Sequence, residues 1–240
     1  MISRFHFPGR LPEAGEVELP EALAHHALRV LRLRDGEQMV LFDGEGGEVD
    51  ARLTVRGKTG FAQLGERRTL DRESPLPVVL VQALASGDKM DWVVQKAVEL
   101  GVAAIQPVQA ERSVLRLSGE RADKRITHWQ QVAVSACEQS GRNRIPQVHP
   151  LRPLVQWLAS ARGERGYVLA PGGGTGFGGE ARPEGAVHVL IGPEGGWTEA
   201  ELAACDAAGF RRVTLGPRVF RTETAGLAAL AVLQAQWGDF

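Results

Sequence analysis

Apolar positions along this chain follow two regimes. Up to about residue 70 they come in short runs, at 38–42, 48–55 and 60–65, separated by the turn signals Asp43-Gly44 and Gly57-Lys58. That spacing predicts a small β-rich barrel. One helix interrupts it, started by Pro20 and running through Ala22 to Leu31. From residue 78 onward, strand-like runs alternate with helical periods. Residues 78–85 and 103–108 are apolar strands, and between them Met90, Val93, Val94, Ala97, Val98 and Leu100 repeat with the helical period until Gly101 stops them. Ser86-Gly87-Asp88 reads as the cap of that helix. A long helix spans 120–141 with Ile126, Trp129, Val132, Ala133, Ala136 and Cys137 on its apolar side, and a short one near 151–161 leads to a strand at 167–170. Strands alternating with helices predict an α/β domain with a mostly parallel sheet. The polar, proline-bearing DRESPLP at 71–77 reads as a linker, giving domains at 1–70 and 78–240.

The last fifth of the chain carries the chemistry. Residues 187–191 form a short β-branched run, and Gly192, Pro193, Gly195 and Gly196 after it forbid regular structure and let backbone approach a ligand. Thr198 with Glu201 is a capping-box signature for a helix that Gly209 ends. Residues 211–215 are the next strand, turned by Gly216-Pro217, and Thr222 or Thr224 caps a final Ala/Leu-rich helix to about Trp237. Two strand ends thus meet at one sheet edge, where open α/β folds place their ligands. GPRVFRTET adds two arginines and a glutamate to that edge.

Charge narrows the classes of partner. The net charge of −1 is spread evenly, with 10 basic and 11 acidic residues in 1–70, so any RNA surface must be a local patch. The candidates are Arg4, Arg10, Arg29, Arg32 and Arg34 beside Phe5, His6 and Phe7, and Arg142 and Arg144 in GRNR after the long helix. Such groups grip phosphates and stack on bases, although a solvated surface and dipole complementation at a helix end explain them equally well. Two lone cysteines, Cys137 and Cys205, fit a reducing cytoplasm and read as small core residues. Scattered histidines lack metal-ligand spacing, and no apolar run reaches membrane-spanning length. Gly174, Gly176 and Gly179 formally match G-x-G-x-x-G, but Glu180 to Pro183 open no helix, so neither NAD nor FAD follows.

Taken as an ordered set, FDGEGG, DRESPL, GDKMDWVVQKAVELGV, ERSVLRL, ACEQSGRNRIP, LIGPEGG and LGPRVFRTETA resemble the RsmE family of 16S ribosomal RNA uridine-N3 methyltransferases, within the SPOUT superfamily. The resemblance implies a PUA-like RNA-binding barrel followed by a trefoil-knot α/β domain that binds S-adenosylmethionine, in a homodimer acting on the small ribosomal subunit. Its target would be the uridine that the family numbers 1498. By the same resemblance the cofactor sits among Ala170, Leu190, Ile191, Gly192, Pro193, Gly195, Gly196, Leu215, Gly216, Arg218 and Val219. Arg221 would orient the base or a phosphate. Glu223 is the first candidate to accept the N3 proton and Glu194 the second, while Glu223 as a first-turn acid favoured by the helix dipole explains it at least as well. Two alternatives stay open: a related knotted enzyme methylating a ribose hydroxyl, and a noncatalytic RNA-binding or assembly protein.

Overall fold

Packing divides the chain into two units, one formed by Met1–Glu73 with Cys137–Ile145 and the other by Ser74–Ala136 with Pro146–Phe240. The structure, a computed structural model, describes residues 2–172, 174, 176–177 and 181–240.

The first unit is built on β1 (Ser3–His6), β2 (Gly15–Glu18), α1 (Glu21–His25), β3 (Gln38–Phe42), β4 (Glu48–Arg56) and β5 (Thr59–Arg68). Its sheet order is β1-β3-β4-β5-β2, with β1 parallel to β3 and the other pairs antiparallel. The turns at Gly44 and Gly57 fall where the sequence places them, both with left-handed backbone (φ 84° and 66°). β1 and β2 are too short to show a period, and the sequence reading passed over both. Phe5, on β1, is 1% exposed in the core with Leu41, Leu53 and Ala62. The expectation that it stacks on a base is therefore corrected: pleat alternation turns it inward. After α1 a π-helical turn (His26–Val30) continues the helix, and Arg32 then ends it in the left-handed region (φ 57°).

A buried acid organises this unit's charges. Glu48, with a side chain only 2% exposed, accepts from Arg4, from Arg68 at 2.8 Å and from Arg72 at 3.2 Å. Burial pushes its carboxyl up, but the bonds and charges of Arg4 and Arg72 outweigh that and hold it below the ordinary value of 4.5. Arg4 also donates to Asn143 Oδ1 at 2.7 Å, and Arg142 is locked onto Glu73.

The second unit alternates as predicted: β6 (Val78–Ala83), α2 (Lys89–Glu99), β7 (Ala104–Gln109), α3 (Gly119–Ser140), β8 (Gln147–Val148), β9 (Arg152–Pro153), α4 (Leu154–Ser160), β10 (Gly166–Leu169), β11 (Val187–Ile191), α5 (Glu199–Ala207), β12 (Arg211–Val213) and α6 (Thr222–Trp237). The last residues of α3, from Cys137 on, pack with the first unit. The sheet runs β12-β10-β11-β6-β7-β8, with β9 also on β7, and every pairing is parallel. Parallel strands covered on both faces explain why β6 and β11 read as nearly unbroken apolar runs. After β12 at one edge, the chain returns so that α6 lies on the central pair β6 and β11. Gly226 permits this closeness, since a Cβ there would stand 3.2 Å from Leu80 and 3.4 Å from Ile191.

Two predicted caps are corrected. The capping box of α5 forms as read, with Thr198 and Glu201 bonded reciprocally. Neither α2 nor α6, however, has a side-chain cap: Asp88 and Arg221 hold the N-cap positions without one. The hydroxyls of Ser86 and Thr222 donate instead to Glu194 and to the Gly192 carbonyl. In the glycine-rich segment, Gly179 lies outside the described residues, and Gly174 packs so tightly on Arg212 that a side chain would strike its carbonyl.

Replacing Glu48 by Gln should lower stability at neutral pH by about 2 kcal/mol, because Arg4 and Arg72 lose their carboxylate and Arg68 keeps only Asp50. Since the folded-state value is depressed, the glutamate's contribution is present above pH 4.5 and is lost as pH falls through the folded value. Denaturant melts at successive pH values should therefore show a shallower acid decline for the variant than for the parent.

Candidate active site

The C-terminal ends of β10, β11 and β12 open onto one cleft of about 450 Å³, a usual size for a small-molecule site. Leu169 and Ala170, Ile191 to Pro193, and Val213 to Leu215 supply its inner walls, and the loop at 218–221 with the start of α6 supplies its rim. The wall after β11 is held in shape by two bonds. Trp197 donates through Nε1 to the Leu169 carbonyl at 3.0 Å, and its ring lies 3.1 Å from where a Gly192 Cβ would be. Thr222 donates to the Gly192 carbonyl at 2.5 Å and accepts from Gln82 Nε2 at 3.0 Å. That hydroxyl, predicted as a cap, fastens α6 to β6 and to the loop after β11.

At the rim, one cation sits between two acids. Glu194 Oε1 accepts from the Ser86 amide at 2.9 Å, the Ser86 hydroxyl at 2.7 Å and Lys89 Nζ at 3.0 Å. Burial alone would raise its pKa, but the Ser86 bonds, its own amide and Lys89 prevail and bring it to about 2. Lys89 Nζ lies farther from Glu223, 3.7 Å from Oε2, and that buried oxygen has no hydrogen-bond partner. Of the two predicted proton acceptors, Glu194 is the one whose Oε1 is taken up by three donors. Glu223 retains an uncommitted lone pair in the cleft.

Of the residues assigned to a cofactor, Ala170, Ile191, Gly192, Pro193, Gly196, Leu215, Arg218 and Val219 line this cleft, together with Arg221 and Glu223. Leu190 instead fills the core with Val81, Val168 and Trp157. Gly195 lies against Arg112, which donates to its carbonyl at 3.3 Å. Gly216 turns the loop with φ 79°, its carbonyl accepting from Thr214 Oγ1 at 3.1 Å. The arginines assigned to RNA separate into two groups. Arg10, Arg29, Arg32 and Arg144 are exposed. Arg4 is half-buried on Glu48, and Arg142 is 4% exposed on Glu73.

The family model for the RNA methyltransferase domain matches residues 72–234, and that for the RNA methyltransferase PUA domain matches 19–62. A Bacillus subtilis relative, ribosomal RNA small subunit methyltransferase E, is 33% identical over 95% of this chain and 93% of its own length. A crystal structure of the Neisseria gonorrhoeae ribosomal RNA small subunit methyltransferase E bound to S-adenosyl methionine superposes with a TM-score of 0.93, at 45% identity over 100% of both chains. The chain belongs to the RsmE family. A Legionella pneumophila putative methyltransferase in complex with the bound cofactor SAM is similar throughout, with a TM-score of 0.94 and 37% identity over 100% of both chains. As in this family, the fold is a SPOUT α/β-knot domain preceded by a PUA-like domain.

Within this RsmE-family cleft, Lys89, Trp197 and Phe220 are lining residues that sequence reasoning missed. Lys89 carried a readable signal: as the first residue of α2 it puts a cation at the positive end of a helix, which opposes the dipole. Among the described residues, no group of three or more His, Cys, Asp and Glu could hold a metal, and no helix is long and apolar enough to cross a membrane. Burial pushes the thiols of Cys137 and Cys205 up to about 12, so neither is a nucleophile.

Replacing Thr222 by Val keeps the shape of the side chain but leaves the Gly192 carbonyl without its donor. The loss in stability should be about 2 kcal/mol, with Thr222→Ser close to the parent, as read from denaturant midpoints.

Proposed function

We propose that this protein transfers a methyl group from S-adenosylmethionine to N3 of a uridine in 16S ribosomal RNA, the nucleotide its family numbers 1498. Membership of the RsmE family supports the reaction class, and the cleft supports the cofactor. Its inner walls are apolar side chains and backbone groups at strand ends, suited to an adenosine that is held without a charged partner. The observation that carries the reading is at the rim. There a glutamate with an uncommitted carboxylate oxygen, Glu223, lines the same cleft as Arg218 and Arg221.

When bound, S-adenosylmethionine supplies an electrophilic methyl group on sulfur, so that a bond from N3 to carbon forms as the carbon–sulfur bond breaks and its electron pair stays on sulfur. The chain supplies position and a destination for the N3 proton. Glu223 accepts that proton, and Arg221 orients the uracil or a neighbouring phosphate. Arg10, Arg29, Arg32 and Arg144, exposed on the PUA-bearing unit, are the cations free to meet RNA phosphates. A homodimer, a cytoplasmic location and the small ribosomal subunit as partner are carried over from the family resemblance.

Labelled S-adenosylmethionine incubated with unmodified small subunits should leave its methyl on one uracil base. A methyl that departs with the ribose after digestion would overturn the N3 assignment. In the same assay Glu223→Gln should slow single-turnover transfer by about 100-fold, the usual contribution of a positioned base, while cofactor affinity measured by calorimetry stays close to the parent. An unchanged rate removes Glu223 from the chemistry. Changing Arg10, Arg29 and Arg32 together to Ala should weaken RNA binding and make its logarithmic salt slope shallower by roughly 2 to 3, with cofactor binding intact.

A further inference from the structure

Lys89 stands at the first position of α2, the end of a helix where a cation is disfavoured, and Asp88 before it makes no side-chain cap. Helix formation therefore gives no reason for a lysine here. Its surroundings do. The ammonium is 3.0 Å from Glu194 Oε1 and 3.7 Å from Glu223 Oε2, and all three side chains line the cleft. Their side chains are 30%, 23% and 20% exposed, so the cation lies between two half-buried acids and is not free in solvent.

The two acids are held differently. Glu194 is fixed by both the amide and the hydroxyl of Ser86, in the loop between β6 and α2. It is an anchor that sets where the ammonium stands. Glu223, in the first turn of α6, lies just beyond hydrogen-bond reach of the same ammonium, near enough to feel its charge but with Oε2 unbonded. A direct bond from Lys89 would occupy the lone pair that must receive a proton. A cation at 3.7 Å attracts the carboxylate toward one orientation and leaves that lone pair available. The other charged residues lining the cleft are Arg218 and Arg221, both on the exposed loop before α6.

We propose that Lys89, anchored by Glu194, is a positioning residue that holds the Glu223 carboxylate in the cleft to receive a proton from the substrate base. This rests on the reading of Glu223 as the acceptor. Lys89 donates no proton and forms no covalent bond in the step. The proton moves from the substrate nitrogen to a Glu223 oxygen.

The test is a double-mutant cycle on the full chain with Lys89→Met, Glu223→Gln and the two combined, plus Lys89→Arg as the conservative variant. Thermal melts without cofactor and calorimetric S-adenosylmethionine affinities are measured for each, beside single-turnover methylation of small subunits. Lys89→Met should slow transfer by at least about tenfold with cofactor affinity within about twofold of the parent, and Lys89→Arg should recover most of the rate. In the Glu223→Gln background, Lys89→Met should cause no further loss, because two residues acting as one unit are not additive. Additive losses would overturn the proposal, since Lys89 would then act independently of Glu223. So would a slow Glu223→Gln with an unimpaired Lys89→Met, which leaves Glu223 as acceptor and removes only Lys89. A fully active Glu223→Gln overturns the acceptor reading itself, and Lys89 with it. Should Lys89→Met not fold, Lys89→Gln carries the same cycle.

Discussion

The Thr222 hydroxyl, which donates to the Gly192 carbonyl while accepting from Gln82, is the bond on which the cleft depends. It joins three segments remote in sequence: the central strand β6, the turn after β11 and the first residue of α6. Each of those places could close a tidy local structure without the other two. Gln82 could bond within its strand, Gly192 could face solvent, and Thr222 could cap its own helix. Fastened together, they bring the loop at 218–221 and Glu223 to the rim of a cleft whose inner walls are strand ends. Gly226 allows the same convergence from below, because only a helix face without a side chain comes so near Leu80 and Ile191.

Electrostatics at the rim turns that geometry into a division of roles. Two glutamates face one lysine, and the nearer takes most of it. Three donors take up Glu194 Oε1, whereas Glu223 Oε2 has no hydrogen-bond partner. A residue needed to accept a proton gains nothing from saturation with hydrogen bonds, because each bond to the anion makes protonation harder. Burial and partners thus separate two carboxylates that look interchangeable as letters.

The arginines of the first unit follow the same logic from the opposite side. The buried Glu48 holds Arg4, and Glu73 holds the buried Arg142. Arg10 and Arg29 are exposed. The formal charge of a segment therefore overstates what it offers a polyanion, by the number of arginines neutralised within it.

Periodicity and punctuation were enough to read much of this protein. Two regimes of structure, the alternation from residue 78, the capping box of α5 and the glycine-proline turns at one sheet edge all depend on neighbours a few residues apart, and short-range sterics and hydrogen bonding act over that distance. Most of the cleft lining was legible for the same reason, since glycines and prolines after a strand announce where backbone is bare. The Ser86 and Thr222 hydroxyls do not cap their helices, Arg4 is drawn onto an acid, and Lys89 enters the cleft. In each case the partner lies far along the chain: Glu194 for Ser86 and Lys89, Gly192 and Gln82 for Thr222, Glu48 for Arg4. A polar side chain takes whichever partner gives it the better bond once water is excluded, and only folding brings those partners within 3 Å of one another.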